Sequence, residues 1–379
     1  MKQSQSGRIP TLFSWHTYCF VQHVVRFPIA IFLVAVCVAG AGCTTLGPRS
    51  LKADQVDYAR ALGDAKKRQI LSMIVGLRYA DAPSFLNVTQ IIAGYTFTGT
   101  GGAGLNTLPD PGGPRAGATG LLSYSDHPTF TFTPTTGEDY AKAYIHPLPP
   151  ALILPLAGSG IPIDLLLRIT VQSIAGLNNA AMLGGTTGNG SPGFFELLRV
   201  LRRLQLAGVL SVEYHPGSNA GKVELSFSSP QAGESAEALA DERRARELLR
   251  IQGDRMQYEI VYGTAAQGPN TIPVITRSVL AILSDLGAEI AVPASDVSSG
   301  ATQPTVGLVG GETRPILVVH AGNKRPTDVY AAIGYRSLQY WIEDSDFDSK
   351  YALTVVQNLM ALAEVTDTSH APVVTVPAN

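Results

Sequence analysis

The stretch Val209–Ser228, VLSVEYHPGSNAGKVELSFS, decides the class of fold. Two β-prone runs, Val209 to Tyr214 and Lys222 to Ser228, flank Pro216-Gly217-Ser218-Asn219, a cluster of turn formers. The stretch therefore predicts two strands joined locally. So short a link allows only antiparallel pairing, because a parallel pair needs a long crossover. Before it, Phe194 to Leu206 reads as an amphipathic helix with Arg199, Arg202 and Arg203 outward. After it, Ser235 to Ile251 reads as a charged helix carrying an i,i+4 pair, Glu242 and Arg246. Next come a strand at Met256 to Tyr262 and a helix at Thr276 to Leu286, stopped by Gly287. Strands at Ile316 to Val319, Val329 to Gly334 and Leu338 to Ile342 follow. A helix from Phe347 to Ala363 and a last strand, Val373 to Val376, complete this half. Interspersed helices and strands with short links predict an α+β fold, a mixed, largely antiparallel sheet with packed helices.

The upstream half is less regular. Tyr58, Leu62, Ile70, Met73, Ile74 and Leu77 recur near helical spacing and predict a helix from Asp54 to Tyr79, ended by Ala82-Pro83. Lys66, Lys67 and Arg68 are read as its solvated face. A β-rich segment, Phe85 to Thr98, and a short strand, Thr129 to Thr133, enclose residues 99–120, which are rich in Gly and Pro and read as a long loop or flap. Gly99, Gly101 and Gly104 formally spell G-x-G-x-x-G. The prolines at 109, 111 and 114 prevent the helix that a dinucleotide site needs, so a nucleotide role is rejected. The apolar stretch 147–177 contains Pro149, Pro150, Pro155 and Pro162. Its longest run, Ala151 to Ile163, is 13 residues, short of the roughly 20 that span a bilayer. It is read as a buried helical segment, followed by an Asp164/Arg168 i,i+4 pair.

The N-terminus carries an address. Residues 1–42 hold Lys2, Arg8 and Arg26 and no acid. An apolar run, Phe27 to Val38, leads to Ala39-Gly40-Ala41-Gly42 and Cys43. Basic flank, short apolar run and small-residue exit are the parts of a secretory signal. The chain has three cysteines, Cys19, Cys37 and Cys43. Cleavage between Gly42 and Cys43 leaves a single thiol at the first position, with no partner for a disulfide in the same chain. This segment resembles a bacterial lipoprotein signal, whose cysteine is acylated; it departs from the usual pattern at Gly40, where a larger apolar residue is typical. The resemblance implies a membrane anchor through the lipid on Cys43. Thr44, standing where Asp would signal inner-membrane retention, implies the outer membrane, facing the periplasm. The competing reading is an uncleaved anchor helix or a plain secretory signal. The organisation expected is a signal at 1–42, a lipidated tether at 43–52, a helix/strand region at 53–190 with Gly/Pro-rich loops, and an α+β region at 191–379.

Composition narrows the function classes. The chain has 379 residues, net charge −2, 45% hydrophobic and 15% charged residues. It is too apolar for a disordered chain, and its charge argues against a nucleic-acid partner. Metal-ligand spacing is absent: His127, His146, His215, His320 and His370 form no H-x-x-x-H, and there is no C-x-x-C. Asp344, Asp346 and Asp348 resemble the start of a calcium loop, but Ser349 stands at its glycine position and Val355 at its glutamate position. Asp348 is read as a helix cap instead. Ser191 has Asn189 where a nucleophile elbow needs Gly, Ser159 lacks both flanking glycines at the required spacing, and no P-loop is present. Asp126-His127 and Glu138-Asp139 are candidate acid/base groups that nothing singles out. No catalytic, cofactor-binding or metal residue is assigned, and no cofactor is expected.

Three segments carry a further resemblance: residues 69–98, 131–150 and 335–356. They are similar to a set of predicted proteobacterial lipoproteins with an L-R-Y-x-D-x-P-x-F-L core, matched by Leu77, Arg78, Tyr79, Asp81, Pro83, Phe85 and Leu86. That set brings no assigned activity. The resemblance implies a lipoprotein with one continuous architecture. The expectation is a non-enzymatic binding, structural or assembly component of the cell envelope with an envelope protein as partner, its contacts falling on 147–177 and the Gly-rich loop. The alternative is a membrane-anchored periplasmic hydrolase whose site is assembled from distant residues.

Overall fold

The structure is a computed structural model and describes residues 46–92, 95–106, 115–126, 129–180, 190–217, 221–228, 235–251, 255–308, 312 and 314–364. The chain divides into two units, Met1–Lys66 and Lys67–Asn379. In the first unit the described residues form the start of α1 (Leu46–Arg78), with an exposed Arg60–Asp57 pair at 3.5 Å.

In the second unit, α1 is buried on most sides. Ile70, Leu71, Met73, Ile74 and Val75 are all inaccessible or nearly so, while Ser72 faces outward. A helix apolar around most of its girth belongs in the core. The basic run is not a simple solvated face, because Lys67 lies 4.5 Å over the ring of Tyr330 and covers it with its apolar stem. The helix ends in a Schellman motif. The Asp81 N–H donates to the Gly76 carbonyl at 3.0 Å and the Ala80 N–H to the Leu77 carbonyl at 3.0 Å. Ala80 takes the left-handed position (φ 61°) usually filled by glycine.

Two antiparallel strand pairs follow, the second nested in sequence within the first. β1 (Leu86–Ile92) pairs antiparallel with β4 (Thr129–Pro134), and β2 (Tyr95–Asn106) pairs with β3 (Arg115–Asp126). This corrects the loop expected at 99–120. Gly99, Gly101 and Gly104 lie within β2, opposite Leu122, Gly120 and Gly117. Glycine weakens a strand without forbidding it, and twelve continuous pairs offset that weakness. The remainder of that loop, 107–114, lies outside the described residues, as does the strand expected at 373–376.

α2 (Gly137–Tyr140) runs into a π-helical turn, Ala141–Ile145. The apolar stretch then forms short helices α3 (Pro150–Ile153), α4 (Pro155–Gly158) and α5 (Ile163–Thr170), punctuated by its prolines at their starts. Ile153, Leu154, Ile163, Leu166 and Leu167 are buried. Among the described residues no helix is long and apolar enough to cross a membrane. The pair expected between Asp164 and Arg168 does not form. Asp164 lies 3.8 Å from Arg202, and Arg168 reaches Glu312 at 2.9 Å.

A six-stranded sheet follows in the order β6-β5-β10-β9-β8-β7, built from β5 (Val171–Ile174), β6 (Leu177–Asn178), β7 (Leu210–His215), β8 (Lys222–Phe227), β9 (Gln257–Tyr262) and β10 (Thr271–Thr276). All its pairs are antiparallel except β9 with β10. The sheet takes strands from both sides of residue 190, so the two sequence regions share it. β10 is a strand the sequence reading missed, because Pro273 argues against a central strand. Pro273 is in register with Val261 of β9. On the β5 side its carbonyl accepts from the Ala175 N–H at 2.9 Å just past the last β5 pair, Val274–Ile174, so the proline costs only the reciprocal bond at the end of that ladder.

Val223, Leu225, Tyr258, Ile260, Ile272 and Val274 bury one face of this sheet. α6 (Pro192–Leu206) packs with α5 and with α7 (Ala236–Leu248). The Glu242–Arg246 pair forms at 2.7 Å. A smaller antiparallel sheet, β11-β13-β12, comprises β11 (His320–Gly322), β12 (Val329–Tyr335) and β13 (Leu338–Glu343). α8 (Val279–Ala288), α9 (Ala294–Ser298) and α10 (Phe347–Glu364) complete the described chain. Gly287 does not stop α8; it lies inside it. A Cβ there would sit 2.7 Å from the Ile74 carbonyl oxygen, so glycine lets α8 and α1 approach closely. The fold is α+β, as the sequence predicts.

Candidate functional site

The three segments quoted above meet in space. Phe85 stacks on Tyr144 with ring centres 3.5 Å apart, and Tyr79 lies 5.3 Å from Tyr335. The Leu77–Leu86 motif does its work at the end of α1. Arg78, 7% exposed, turns inward. Its guanidinium donates to the Ile290 carbonyl at 3.3 Å, to Thr302 Oγ1 at 2.8 Å, to the Gln303 carbonyl at 2.7 Å and to Thr305 Oγ1 at 3.3 Å. Thr302 Oγ1 in turn donates to the Arg78 carbonyl at 2.5 Å. These partners are carbonyls and hydroxyls. Burial therefore lowers the pKa of Arg78 from its ordinary value, against the opposing influence of Tyr79 and Tyr340. The group orders the chain from 290 to 305, which carries α9.

That ordering places Asp296 beside Tyr79. The Tyr79 hydroxyl donates to Asp296 Oδ2 at 2.8 Å and lies 2.8 Å from the hydroxyl of buried Tyr340. Tyr335 donates to Asp81, and Arg336 lies 4.9 Å over the Tyr79 ring. Arg336 is the first residue of the two-residue turn between β12 and β13 and is left-handed at φ 52°. Two non-glycine residues in that conformation, Ala80 and Arg336, thus frame a cleft of about 380 Å³ lined by Tyr79, Asp81, Ala301, Tyr335 and Arg336. That volume is at the low end for small-molecule sites. Burial raises the pKa of Tyr79 well above the phenol range, helped by its hydrogen bonds to Tyr340 and Asp296. Burial, then the bond to Asp81, pushes Tyr335 up to about 12. Both phenols stay protonated at neutral pH. Their protons are already donated to Asp296 and Asp81, so they present ring faces and cannot serve as bases. Asp81 and Arg336 are exposed and set opposite charges at the rim.

A second polar group lies between α5 and α8. Arg277, 8% exposed, pairs with Asp285 at 3.0 Å and donates to the Ala180 carbonyl at 2.5 Å and to the Arg168 carbonyl at 3.0 Å. Burial lowers its pKa while Asp285 and Glu289 oppose the shift. Its donors are spent on the fold. A larger open groove, about 560 Å³, runs beside β11 past Pro293, Leu317 and His320. It is also lined by Glu289, and its one imidazole stacks on Trp341 at 5.7 Å and lies 3.6 Å from Glu343.

The residues singled out in the sequence go elsewhere. Gly42, Cys43, His127 and His370 lie outside the described residues, and nothing is described of the Asp126 side chain. Asp346, not Asp348, caps α10: it accepts from the Ser349 N–H at 3.2 Å and from Ser349 Oγ at 2.6 Å. The three carboxylates of the calcium-like stretch each have a basic partner. Asp346 and Asp348 pair with Arg314 at 2.7 and 3.0 Å, and Asp344 with Lys350 at 3.1 Å. Ser191 precedes α6 and accepts from the Asn178 N–H at 3.0 Å, and Ser159 donates to the Leu156 carbonyl at 2.8 Å. Glu138 pairs with Lys142 at 2.9 Å. His215 faces two glutamates on the outer side of the sheet, Glu213 at 3.7 Å and Glu224 at 3.5 Å. Sequence spacing missed this grouping, because Glu224 arrives from the opposite strand. Compared with family models, with curated proteins and with solved structures, the chain matches none.

Proposed function

We propose that this chain is a cell-envelope lipoprotein. In this reading it is cleaved between Gly42 and Cys43, acylated on Cys43 and held at the outer membrane facing the periplasm. Its α+β body is a binding or assembly component for an envelope protein and carries no catalysis of its own. The anchor is supported by the basic flank, the short apolar run and the lone thiol that cleavage would leave. Stable anchoring takes more than one chain, at about 0.8 kcal/mol per buried CH₂. The observation that carries the binding reading is the cleft at the end of α1. Its phenols are held protonated, while its rim offers one carboxylate, one guanidinium and aromatic faces. Such a surface recognises a polar partner and activates no nucleophile.

The test is the intact mass of the protein extracted from membranes, beside Cys43→Ser. Loss of residues 1–42 together with an added acylated glycerol, absent in the variant, is the expected result. An unmodified N-terminus overturns the anchor. A photo-crosslinker placed at Arg336 in cells is expected to trap one envelope protein. Its failure, with the anchor intact, would remove the binding reading alone.

A further inference from the structure

The outer face of the six-stranded sheet carries a row of charge that the fold does not balance. In register, Glu213 on β7 stands opposite Glu224 on β8, and Glu224 stands opposite Glu259 on β9. Side chains directly opposite on one face have Cβ atoms about 5 Å apart, and like charges there destabilise the sheet. Lys222, the cross-strand partner of His215, is spent on Glu259 at 3.0 Å. Glu213 and Glu224 are left with the imidazole of His215, at 3.7 and 3.5 Å, and with the Gln257 amide, 3.5 Å from Glu213. His215 shares their face because it is two residues beyond Glu213 on the same strand.

We infer that Glu213, His215 and Glu224 form a binding site for a divalent first-row transition-metal ion of the zinc type. One ligand atom from each lies within 4.8 Å of the others. A tetrahedral ion bound at about 2.0–2.2 Å holds its ligand atoms about 3.3–3.6 Å apart. The His215–Glu224 separation of 3.5 Å already meets that spacing, and His215–Glu213 at 3.7 Å meets it with a slight side-chain turn. One imidazole beside two carboxylates selects zinc, copper or nickel over calcium and magnesium, which take oxygen ligands. Two carboxylates balance the double positive charge. The hairpin fixes all three groups on paired strands, and three protein ligands leave a position open for water or for a donor from a partner.

The experiment titrates Zn²⁺ alone into the purified full chain by calorimetry and records the visible spectrum with Co²⁺. One ion per chain at micromolar concentration is expected. His215→Ala and Glu224→Gln each remove a direct ligand and should weaken binding by more than the roughly 10- to 100-fold that altering an outer-shell partner costs, and the cobalt bands of the wild type should vanish in His215→Ala. His215 is 53% exposed, while Glu213 and Glu224 are partly buried at 40% and 24% exposed; circular dichroism checks that each variant keeps its fold. Binding unchanged in His215→Ala places the ion elsewhere and overturns the inference. So does the absence of wild-type binding below millimolar zinc.

Discussion

Gly287 is the sharpest test of how the second unit is packed. A substitution to alanine normally strengthens a helix interior by about 1 kcal/mol. Here the added methyl would meet the Ile74 carbonyl oxygen at 2.7 Å, whereas ordinary contact begins near 3.4 Å. About 0.7 Å must therefore be found between α8 and α1. The neighbour is backbone of a buried helix, so it cannot swing aside as a side chain would. Overpacking of this kind costs about 1–3 kcal/mol. Gly287 stands next to the last residue of α8, where the propensity gain is smallest. The balance is a net loss of about 1–2 kcal/mol. Gly63, in α1 with nothing within 4 Å of its virtual Cβ, is the control; Gly63→Ala should gain about 0.5–1 kcal/mol. Urea unfolding followed by circular dichroism and by the fluorescence of Trp341 measures both. A Gly287→Ala protein as stable as the wild type would refute the close approach, and two variants moving in the same direction would refute the reasoning that separates them.

The cleft and the acidic turn give two further tests. Tyr79→Phe removes the hydroxyl that joins Asp296 to Tyr340 and should cost about 1–3 kcal/mol, because the Tyr340 hydroxyl is left buried without that partner. Tyr79→Phe/Tyr340→Phe should then cost less than the two single changes added together, and simple additivity in a double-mutant cycle would count against the pairing. For Asp346, burial pushes its pKa up, but hydrogen bonds from Arg314 and Ser349 outweigh burial and leave it below its ordinary value. A lowered folded pKa means the stabilisation is present above the unfolded value of about 3.9 and fades as pH falls through the folded one. Asp346→Asn should therefore lose about 1 kcal/mol at pH 7, with the gap closing below pH ~4; a gap independent of pH would argue against the ion pair.

Much of the fold was legible because periodicity and turn residues report local structure. The β7–β8 hairpin, α6, α7 and α10 follow directly from patterns of apolar and turn-forming residues. The failures share a cause, since each depends on a distant neighbour. Pro273 argues against β10 unless one knows where β5 ends. The glycines of β2 argue against a strand unless one sees β3 beside them. Gly287 looks like a helix stop until α1 is brought against it. At the cleft, the sequence drew attention to the Leu77–Leu86 motif but not to its purpose. Nothing local says that Arg78 turns inward or that Tyr79 meets Tyr340 and Asp296. Asp346 displaced Asp348 as the cap because Arg314, more than thirty residues upstream, holds it in place.

The order of the six-stranded sheet sets a timetable for folding. β5 pairs with β10, about 100 residues further along the chain. A chain delivered N-terminus first presents β5 before its partner arrives. During that interval the edge of Val171–Ile174 is open to any extended chain that comes near. The strand that seals it is also the one that docks onto β9, so one late event closes both edges. A chain halted before Thr271 would hold two unsealed edges, and that is where a chaperone would have to stand guard.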